Sequence, residues 1–163
     1  MMILLYAVLP TPIGQLYITT DGSYVTGVFI GDEDFQEWKE KVEKDVVRKD
    51  DYPLLMEACL QLQEYFQKKR TSFQLPLFYS GTKFQQSVWS ELQKIPYGET
   101  RSYQFIAEKI GNKKAVRAVG QANRANHIPI IIPCHRVIGK NGKLTGYAGS
   151  RTEIKEYLLK LES

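Results

Sequence analysis

A cysteine stands directly before a histidine near the C-terminal end of the sequence, in the stretch I-P-C-H-R-V-I-G that begins at Ile132. A thiolate is a nucleophile and an imidazole can accept a proton, so Cys134 and His135 together could transfer a group onto sulfur. Residues 128–137 are largely apolar, with several β-branched side chains, which predicts an extended strand. Because successive side chains of a strand point to opposite faces, we expect the thiol and the imidazole to communicate through water or a third residue.

The surroundings of Cys134 allow a reactive or an inert thiol. A loop rich in glycine and lysine follows, G-K-N-G-K-L-T-G-Y-A-G, and nearby positive charge would lower the pKa of the thiol and raise its thiolate fraction. A cysteine after an apolar run is more often a buried, inert residue. The second cysteine, Cys59, lies on the apolar face of a predicted helix, where we expect a small buried hydrophobe. The interpretation of Cys134 therefore depends on the rest of the sequence.

Composition limits the class of protein. The 163 residues, 43% apolar and 25% charged, suit one globular domain or two small ones that share a core. No apolar run is long enough to span a membrane, and the first residues resemble a strand rather than a signal peptide. Two cysteines are too few for a disulfide framework, so we expect a cytoplasmic protein. The two Cys and two His are widely spread, which argues against a zinc site.

The charge is unevenly distributed along the chain. Residues 1–80 carry 8 Lys and Arg against 12 Asp and Glu, a net charge of −4. Residues 81–163 carry 14 against 6, a net charge of +8. A basic half joined to an acidic half is typical of a module that binds a polyanion. A solvated basic surface without such a partner is the alternative.

Hydrophobic periodicity and turn signals predict a different organisation in each half. In the first half they predict strands at residues 3–8, 15–20 and 24–30 and helices at 33–44 and 53–69, an α/β (α+β) arrangement. In the second half they predict a helix at 84–94 and then two short helices joined by a Gly-Asn-Lys turn. Ser102 suits the N-cap of the first short helix and Gly111 its C-terminal end. Two short helices joined in this way predict a helix-turn-helix.

The second short helix carries small residues at helical spacing. Ala115, Ala118 and Ala122 would share one face, with Arg117 and Arg124 near it. An alanine face allows close approach to a narrow groove or to a backbone, whereas bulky side chains suit the wide major groove of DNA. Close packing between helices also favours alanine, so the face alone leaves both interpretations open.

Taken together, these segments resemble a known family, the O6-alkylguanine-DNA alkyltransferases, also called methylated-DNA–protein-cysteine methyltransferases. The features that carry the resemblance are the P-C-H-R-V box at Cys134, the upstream Asn126, Arg117, Tyr103 and the trailing G-Y-A-G and K-E-Y-L-L segments. The resemblance is continuous from residue 84 to residue 162 and loose over residues 1–80. It implies a ribonuclease-H-like N-terminal α/β domain at 1–80 and a winged-helix C-terminal domain at 81–163 that binds DNA and transfers the alkyl group.

The resemblance also implies roles for particular residues. Cys134 would be the nucleophile and methyl acceptor, and His135 would act on it through a bound water. A C-terminal glutamate would orient the histidine; the register K-E-Y-L-L-K-L-E matches it to Glu162, with Glu153 and Glu156 as alternatives. Asn126 would be the hinge, Arg117 would fill the space of an extruded base, and Tyr103 would press on the target phosphate and protonate the leaving group. The resemblance places Ala115, Ala118 and Ala122 in the minor groove. It places Val137, Tyr147 and Ala148 in the guanine pocket.

The activity implied by the resemblance is DNA repair by direct transfer of methyl from O6-methylguanine, and from O4-methylthymine, in double-stranded DNA. The protein would bind the minor groove and flip the damaged base out of the duplex to reach it. The thioether product leaves no thiolate to expel, so each molecule would act once. The family requires no metal or organic cofactor, and we expect a monomer with no membrane partner.

Two departures and three rival interpretations accompany the resemblance. His127 stands where the family often has proline, and Ala148 where some members have serine, which would remove one hydrogen bond to the guanine O6. A catalytically inactive damage-binding relative would replace the cysteine, and a winged-helix regulator would have no use for P-C-H-R-V. A Cys–His hydrolase needs the imidazole within about 3 Å of the sulfur. The presence of Cys134 in its box favours the alkyltransferase.

Overall fold

The computed structural model describes residues 3–140, 142 and 151–163, so Tyr147 and Ala148 of the expected guanine pocket lie outside the described residues. The chain divides into two compact units, Met1–Tyr79 and Ser80–Ser163. Strands and helices occur together in both, in agreement with the predicted α/β class. Among the described helices, none is both long enough and apolar enough to cross a membrane.

The first unit consists of a four-stranded sheet and two helices. In chain order its elements are β1 (Ile3–Thr11), β2 (Gly14–Thr20), β3 (Val25–Ile30), α1 (Asp32–Lys41), β4 (Asp45–Arg48) and α2 (Pro53–Phe66). The strand order is β3-β2-β1-β4, with β1 antiparallel to β2 and parallel to β4. Three strands and both helices are as predicted. The sequence pattern does not predict β4, because none of its four residues is fully buried.

The core of the first unit lies between the sheet and α2. Leu16 and Ile18 of β2 and Leu55 and Leu62 of α2 are all fully buried. Each such side chain contributes about 1.5–3 kcal/mol through the hydrophobic effect. Cys59 is only half-buried, at the margin of the inward face of α2, so the expectation of a fully buried thiol is wrong.

Within its described residues, the second unit contains four α-helices and a short parallel strand pair. In chain order its elements are α3 (Lys83–Leu92), β5 (Arg101–Ser102), α4 (Tyr103–Lys109), α5 (Val116–Arg124), β6 (Val137–Ile138) and α6 (Thr152–Leu161). Helices α4 and α5 are the predicted helix-turn-helix pair. The hydroxyl of Ser102 accepts a hydrogen bond from the N–H of Phe105 at 3.0 Å, and Gly111 follows α4 with a φ of +80°. Both ends of α4 are therefore capped as predicted.

Helix α3 joins this pair through its apolar face. It begins with a capping box in which the Thr82 hydroxyl and the Gln85 side chain each bond the other residue's backbone N–H. Val88, Trp89 and Leu92 are fully buried and lie at helical spacing on one face. The indole N–H of Trp89 also donates to the carbonyl of Ala122 at 2.8 Å, which ties α3 to α5.

Residues 128–137 do not form the long strand that their composition predicts. Cys134–Arg136 form one 3₁₀ turn, and only Val137 and Ile138 continue as a strand. Pro129 and Pro133 cannot donate to a strand ladder, and this interrupts regular pairing. Side chains in a 3₁₀ turn project roughly 120° apart rather than to opposite faces. The side chains of Cys134 and His135 therefore point in different directions.

Candidate active site

Two asparagines at the end of α5 hold the turn that begins at Cys134. The side-chain amide of Asn126 donates to the carbonyl of Ile132 at 2.8 Å, and its oxygen accepts from the N–H of Ile128 at 3.0 Å. The amide of Asn123 donates to the carbonyl of Cys134 at 3.2 Å. The position of the cysteine is thus set by hydrogen bonds from the helix-turn-helix.

The segment between Asn126 and Cys134 contains an unusual backbone conformation. Ile130 has a φ of +75°, in the left-handed region that β-branched residues rarely occupy. Such a residue costs on the order of 1–3 kcal/mol and persists where its surroundings determine the conformation. Ile130 is buried and lies between Asn126 and the turn that begins at Cys134, so the fold imposes this local conformation close to Cys134.

The thiol of Cys134 is buried, with 2% of the residue exposed. Burial raises the pKa of the thiol to about 11, although a hydrogen bond from Asn126 and the charge of Lys155 both act to lower it. Of the two possibilities that the sequence left open, the structure favours the buried thiol with a raised pKa, because loss of hydration outweighs the nearby positive charge. At neutral pH the thiol is protonated, so a transfer reaction needs a group that removes the proton.

His135 lies in a buried polar cluster with Glu162 and Arg136. Nε2 of His135 is 2.6 Å from Oε2 of Glu162, and neither residue is exposed beyond 5%. Burial lowers the pKa of His135, the hydrogen bond to Glu162 acts to raise it, and the charges of Arg136 and Lys155 act to lower it. The net effect is a lowered pKa, which favours the neutral imidazole at pH 7. The alternatives Glu153 and Glu156 are exposed on α6, and the structure brings only Glu162 among these three to His135.

Glu162 reaches the cluster because the end of α6 is held against residues 97 and 98. The hydroxyl of Tyr97 donates to the carbonyl of Leu161 at 3.3 Å, and the N–H of Gly98 donates to Oε1 of Glu162 at 3.4 Å. Gly98 has a φ of +80°, and a Cβ there would lie 3.2 Å from the backbone oxygen of Glu162. Glycine therefore suits this position for both its backbone angle and its close contact.

Tyr103 is the first residue of α4 and directly follows β5. Arg101 pairs with Val137 and Ser102 with Ile138, so β5 delivers Tyr103 next to the strand that follows the turn. Nζ of Lys155 lies 5.8 Å from the centre of the Tyr103 ring. Lys155 is fully buried on α6, and this burial lowers its pKa to about 8.

The sequence reasoning missed Lys155, Arg136 and Asn123. A signal for Lys155 existed: it lies between the apolar Ile154 and Leu158 at a spacing that places it on the buried face of α6. Arg136 is part of the P-C-H-R-V box, but adjacency in sequence does not reveal which carboxylate it binds. No sequence pattern indicated Asn123, because its hydrogen-bond partner is Cys134, which lies 11 residues further along the chain.

The residues expected to face DNA are only partly brought together. Arg117 and Ala118 are exposed on α5, and Ala115 is half-buried just before it. Ala122 is 2% exposed, so its side chain does not share the outer face, and that prediction is wrong. Four residues advance a helix by about 40° beyond a full turn, which carries Ala122 from the position of Ala118 toward the buried Val119.

The remaining predicted residues divide between the interior and the surface. Val137 is fully buried in β6, directly after the 3₁₀ turn of Cys134–Arg136. His127, which stands in place of a proline, is exposed and packs edge-on to Trp89, with ring centres 5.8 Å apart. It lies outside the cluster of His135, Arg136 and Glu162, whose side-chain contacts do not include it.

Comparison with known proteins identifies this arrangement. The family model described as the 6-O-methylguanine DNA methyltransferase ribonuclease-like domain matches residues 4–79, and the model of its DNA binding domain matches residues 83–163. The chain belongs to the methylated-DNA–protein-cysteine methyltransferase family. It is therefore a DNA-binding methyltransferase of DNA repair, and the predicted two-part fold of this family is confirmed.

Relatives of this family match almost the whole chain. The constitutive methylated-DNA–protein-cysteine methyltransferase of Bacillus subtilis is 54% identical over 157 residues, which are 96% of this chain and 94% of the relative. The enzyme of Methanosarcina acetivorans is 49% identical, over 96% of this chain and 97% of the relative. Among solved structures, Mycobacterium tuberculosis O6-methylguanine methyltransferase is 41% identical with a TM-score of 0.82, over 98% of this chain and 92% of that one. Mycobacterium tuberculosis OGT in complex with DNA is 43% identical with a TM-score of 0.84, over 97% and 92%.

Proposed function

We propose that this methyltransferase repairs O6-methylguanine, and also O4-methylthymine, in double-stranded DNA by moving the methyl group onto Cys134, and that each monomer acts once. The observation that carries the proposal is a buried thiol on a turn that the end of α5 holds by hydrogen bonds. A thioether formed there has no leaving group to restore the thiol. No step of the reaction requires a metal or an organic cofactor.

The first step of the proposed reaction is removal of the thiol proton. Because burial raises the pKa of Cys134, the thiolate must form when the substrate is bound. Nε2 of His135 is hydrogen-bonded to Glu162, so we assign Nδ1 as the ring nitrogen that receives the proton through a water. Once deprotonated, the sulfur attacks as a thiolate, which is a stronger nucleophile than the thiol.

The second step is an SN2 displacement at the methyl carbon. The sulfur–carbon bond forms as the bond between that carbon and the guanine O6 breaks, and the bonding electrons remain on O6. The hydroxyl of Tyr103 supplies the proton that neutralises the leaving base. The buried ammonium of Lys155 favours the thiolate form of Cys134, since its positive charge acts to lower the pKa of that thiol.

Access to the lesion requires the base to leave the duplex, because a methyl group on O6 is out of reach within the stack. We assign this step to α5, with Ala118 close to the minor groove and Arg117 inserted in place of the extruded base. The exposure of both side chains supports this assignment. The net charge of +8 over residues 81–163 supports sequence-independent attraction to phosphates, which weakens as salt rises.

Intact-mass analysis tests the proposed function directly. After incubation with a duplex that carries one O6-methylguanine, we expect the whole population to gain the mass of one methylene, located by peptide mapping on Cys134. An unmethylated duplex of the same sequence is the control and should add nothing. A duplex with O4-methylthymine should give the same adduct. Repeated gain, or methyl on another residue, would contradict the proposal.

Replacement of Arg117 by alanine tests the extrusion step. Extrusion costs a few kcal/mol, and if Arg117 offsets about 1–2 kcal/mol of it, the transfer rate on duplex DNA should fall by about five- to thirtyfold. The rate on single-stranded methylated DNA should change little, because no stack has to be refilled. Arg124→Ala is the matched control, since it removes the same charge from the same helix. Arg124→Ala should weaken binding to the duplex and to the single strand alike. An equal fall of the transfer rate on duplex DNA in both variants would count against the role of Arg117.

A further inference from the structure

Glu162 is shared by two partners of different kinds. Arg136 donates to Oε1 from Nε at 2.9 Å and to Oε2 from Nη2 at 3.0 Å, while His135 contacts Oε2. The guanidinium is itself fixed, since Nη1 donates to the carbonyl of Ile95 at 2.7 Å and the Tyr97 ring lies 5.8 Å away. A buried, two-point Arg–carboxylate pair is a strong and directional contact. The charge of the carboxylate is therefore matched before His135 takes up any proton.

We propose that Arg136 is a positioning residue that keeps His135 neutral, with its proton on Nε2 and with Nδ1 unprotonated, by satisfying the charge of Glu162. The inference rests on the proposed function, because it concerns the residue assigned there as the base. It adds a reason why the base is available: a histidine that already carries both protons cannot accept one from a thiol.

The charges around His135 support this role. Among the described residues, the charged groups that act on it are Glu162 at the end of α6, Arg136 on its own turn, and Lys155 on the buried face of α6. With Arg136 present, an imidazolium would place another cation in a buried cluster that holds a single carboxylate, which is unfavourable. Without Arg136, Glu162 would face the imidazole directly and favour its protonated form.

A purely structural role for Arg136 makes a different prediction. In that case the ion pair would only hold the end of α6 in place. Its loss would lower stability but would leave the titration of His135 unchanged in the protein that stays folded. The titration of His135 therefore distinguishes the two roles.

The chain is suited to this measurement because it contains only two histidines, His127 and His135. Ring-labelled histidine NMR can follow both signals against pH, with His127 as an internal reference outside the cluster. In the unchanged protein we expect His135 to be neutral at pH 7 with its proton on Nε2. Arg136→Met should raise the titration midpoint of His135 by about one pH unit, the lower end of what a neighbouring charge produces. Arg136→Lys, which keeps the charge, should raise it less, and His127 should not move.

Two results would overturn the inference. One is a His135 that is protonated, or that carries its proton on Nδ1, at pH 7 in the unchanged protein, and this measurement does not depend on whether Arg136→Met folds. The other is an unmoved His135 midpoint in folded Arg136→Met.

The methyl-transfer rate separates this inference from the proposed function. If His135 is the base, the rate of Arg136→Met relative to the unchanged protein should be about tenfold lower at a pH below both His135 midpoints, lower by at most about threefold at pH 7, and restored as the pH rises above the new midpoint. If the midpoint moves as expected while this ratio stays flat with pH, Arg136 sets the protonation of His135 but His135 is not the base. The inference then stands and that part of the proposed function fails.

Discussion

Replacement of Cys134 by alanine is expected to abolish methyl transfer while leaving affinity for a methylated duplex close to that of the unchanged protein. The substitution removes the only atom at this site that can form the thioether. The cysteine is 2% exposed and contributes little surface of its own, and the exposed residues of α5 that we assign to DNA binding are untouched. Incubation with a duplex labelled in the methyl group, followed by counting of protein-bound label, measures the transfer. Gel-shift titration with the same duplex measures the affinity.

Cys59→Ala is the matched control for this experiment. It removes the other thiol of the chain, which is half-buried on α2 in the first unit and whose pKa burial also raises to about 11. Transfer in Cys59→Ala should equal that of the unchanged protein. Label on Cys134→Ala, or loss of label from Cys59→Ala, would show that Cys134 is not the acceptor.

Replacement of Glu162 by alanine is expected to have the largest effect on stability. The guanidinium of Arg136 is 6% exposed and would lose both of its hydrogen bonds to the carboxylate. Removal of one partner from a buried ion pair costs about 3–5 kcal/mol, because the remaining charge is left in the interior without compensation. Chemical denaturation should show this loss as a lower free energy of unfolding, and methyl transfer should fall as well because His135 loses its hydrogen-bond partner.

Glu156→Ala provides the control on the same helix. Glu156 pairs with Lys160 at 3.1 Å, but their side chains are 53% and 77% exposed, so the loss should stay within about 0.5 kcal/mol. This comparison also decides between the glutamates that the sequence left open. Equal losses of stability and activity in the two variants would contradict the assignment of Glu162.

Much of the fold could be predicted because local signals decide it. The capping hydroxyl of Ser102, the glycine after α4 and the apolar spacing of Val88, Trp89 and Leu92 each act within one or two turns of chain. The P-C-H-R-V box indicated Cys134 and His135, and the K-E-Y-L-L-K-L-E register indicated Glu162, as candidate site residues. Their assigned roles stay predictions until the experiments above are done.

The errors arose where side chains distant in sequence determine the environment. The composition of residues 128–137 favours a strand, but the prolines and the hydrogen bonds of Asn126 produce a 3₁₀ turn instead. The alanine spacing predicts one open face, yet packing of α5 against α3 buries Ala122. The nearby lysines suggest a reactive thiol, but burial raises its pKa.

The sequence by itself determined which segments form helices α1 to α5, which half of the chain is basic and which cysteine stands in the P-C-H-R-V box. Only the tertiary structure decided that Arg136 and His135 share Glu162 across 26 and 27 residues, and that Lys155 lies over the Tyr103 ring. The physical reason is the range of the forces involved. Capping and periodicity act between neighbours along the chain, whereas desolvation and charge act between whatever atoms the fold brings within a few ångströms of each other.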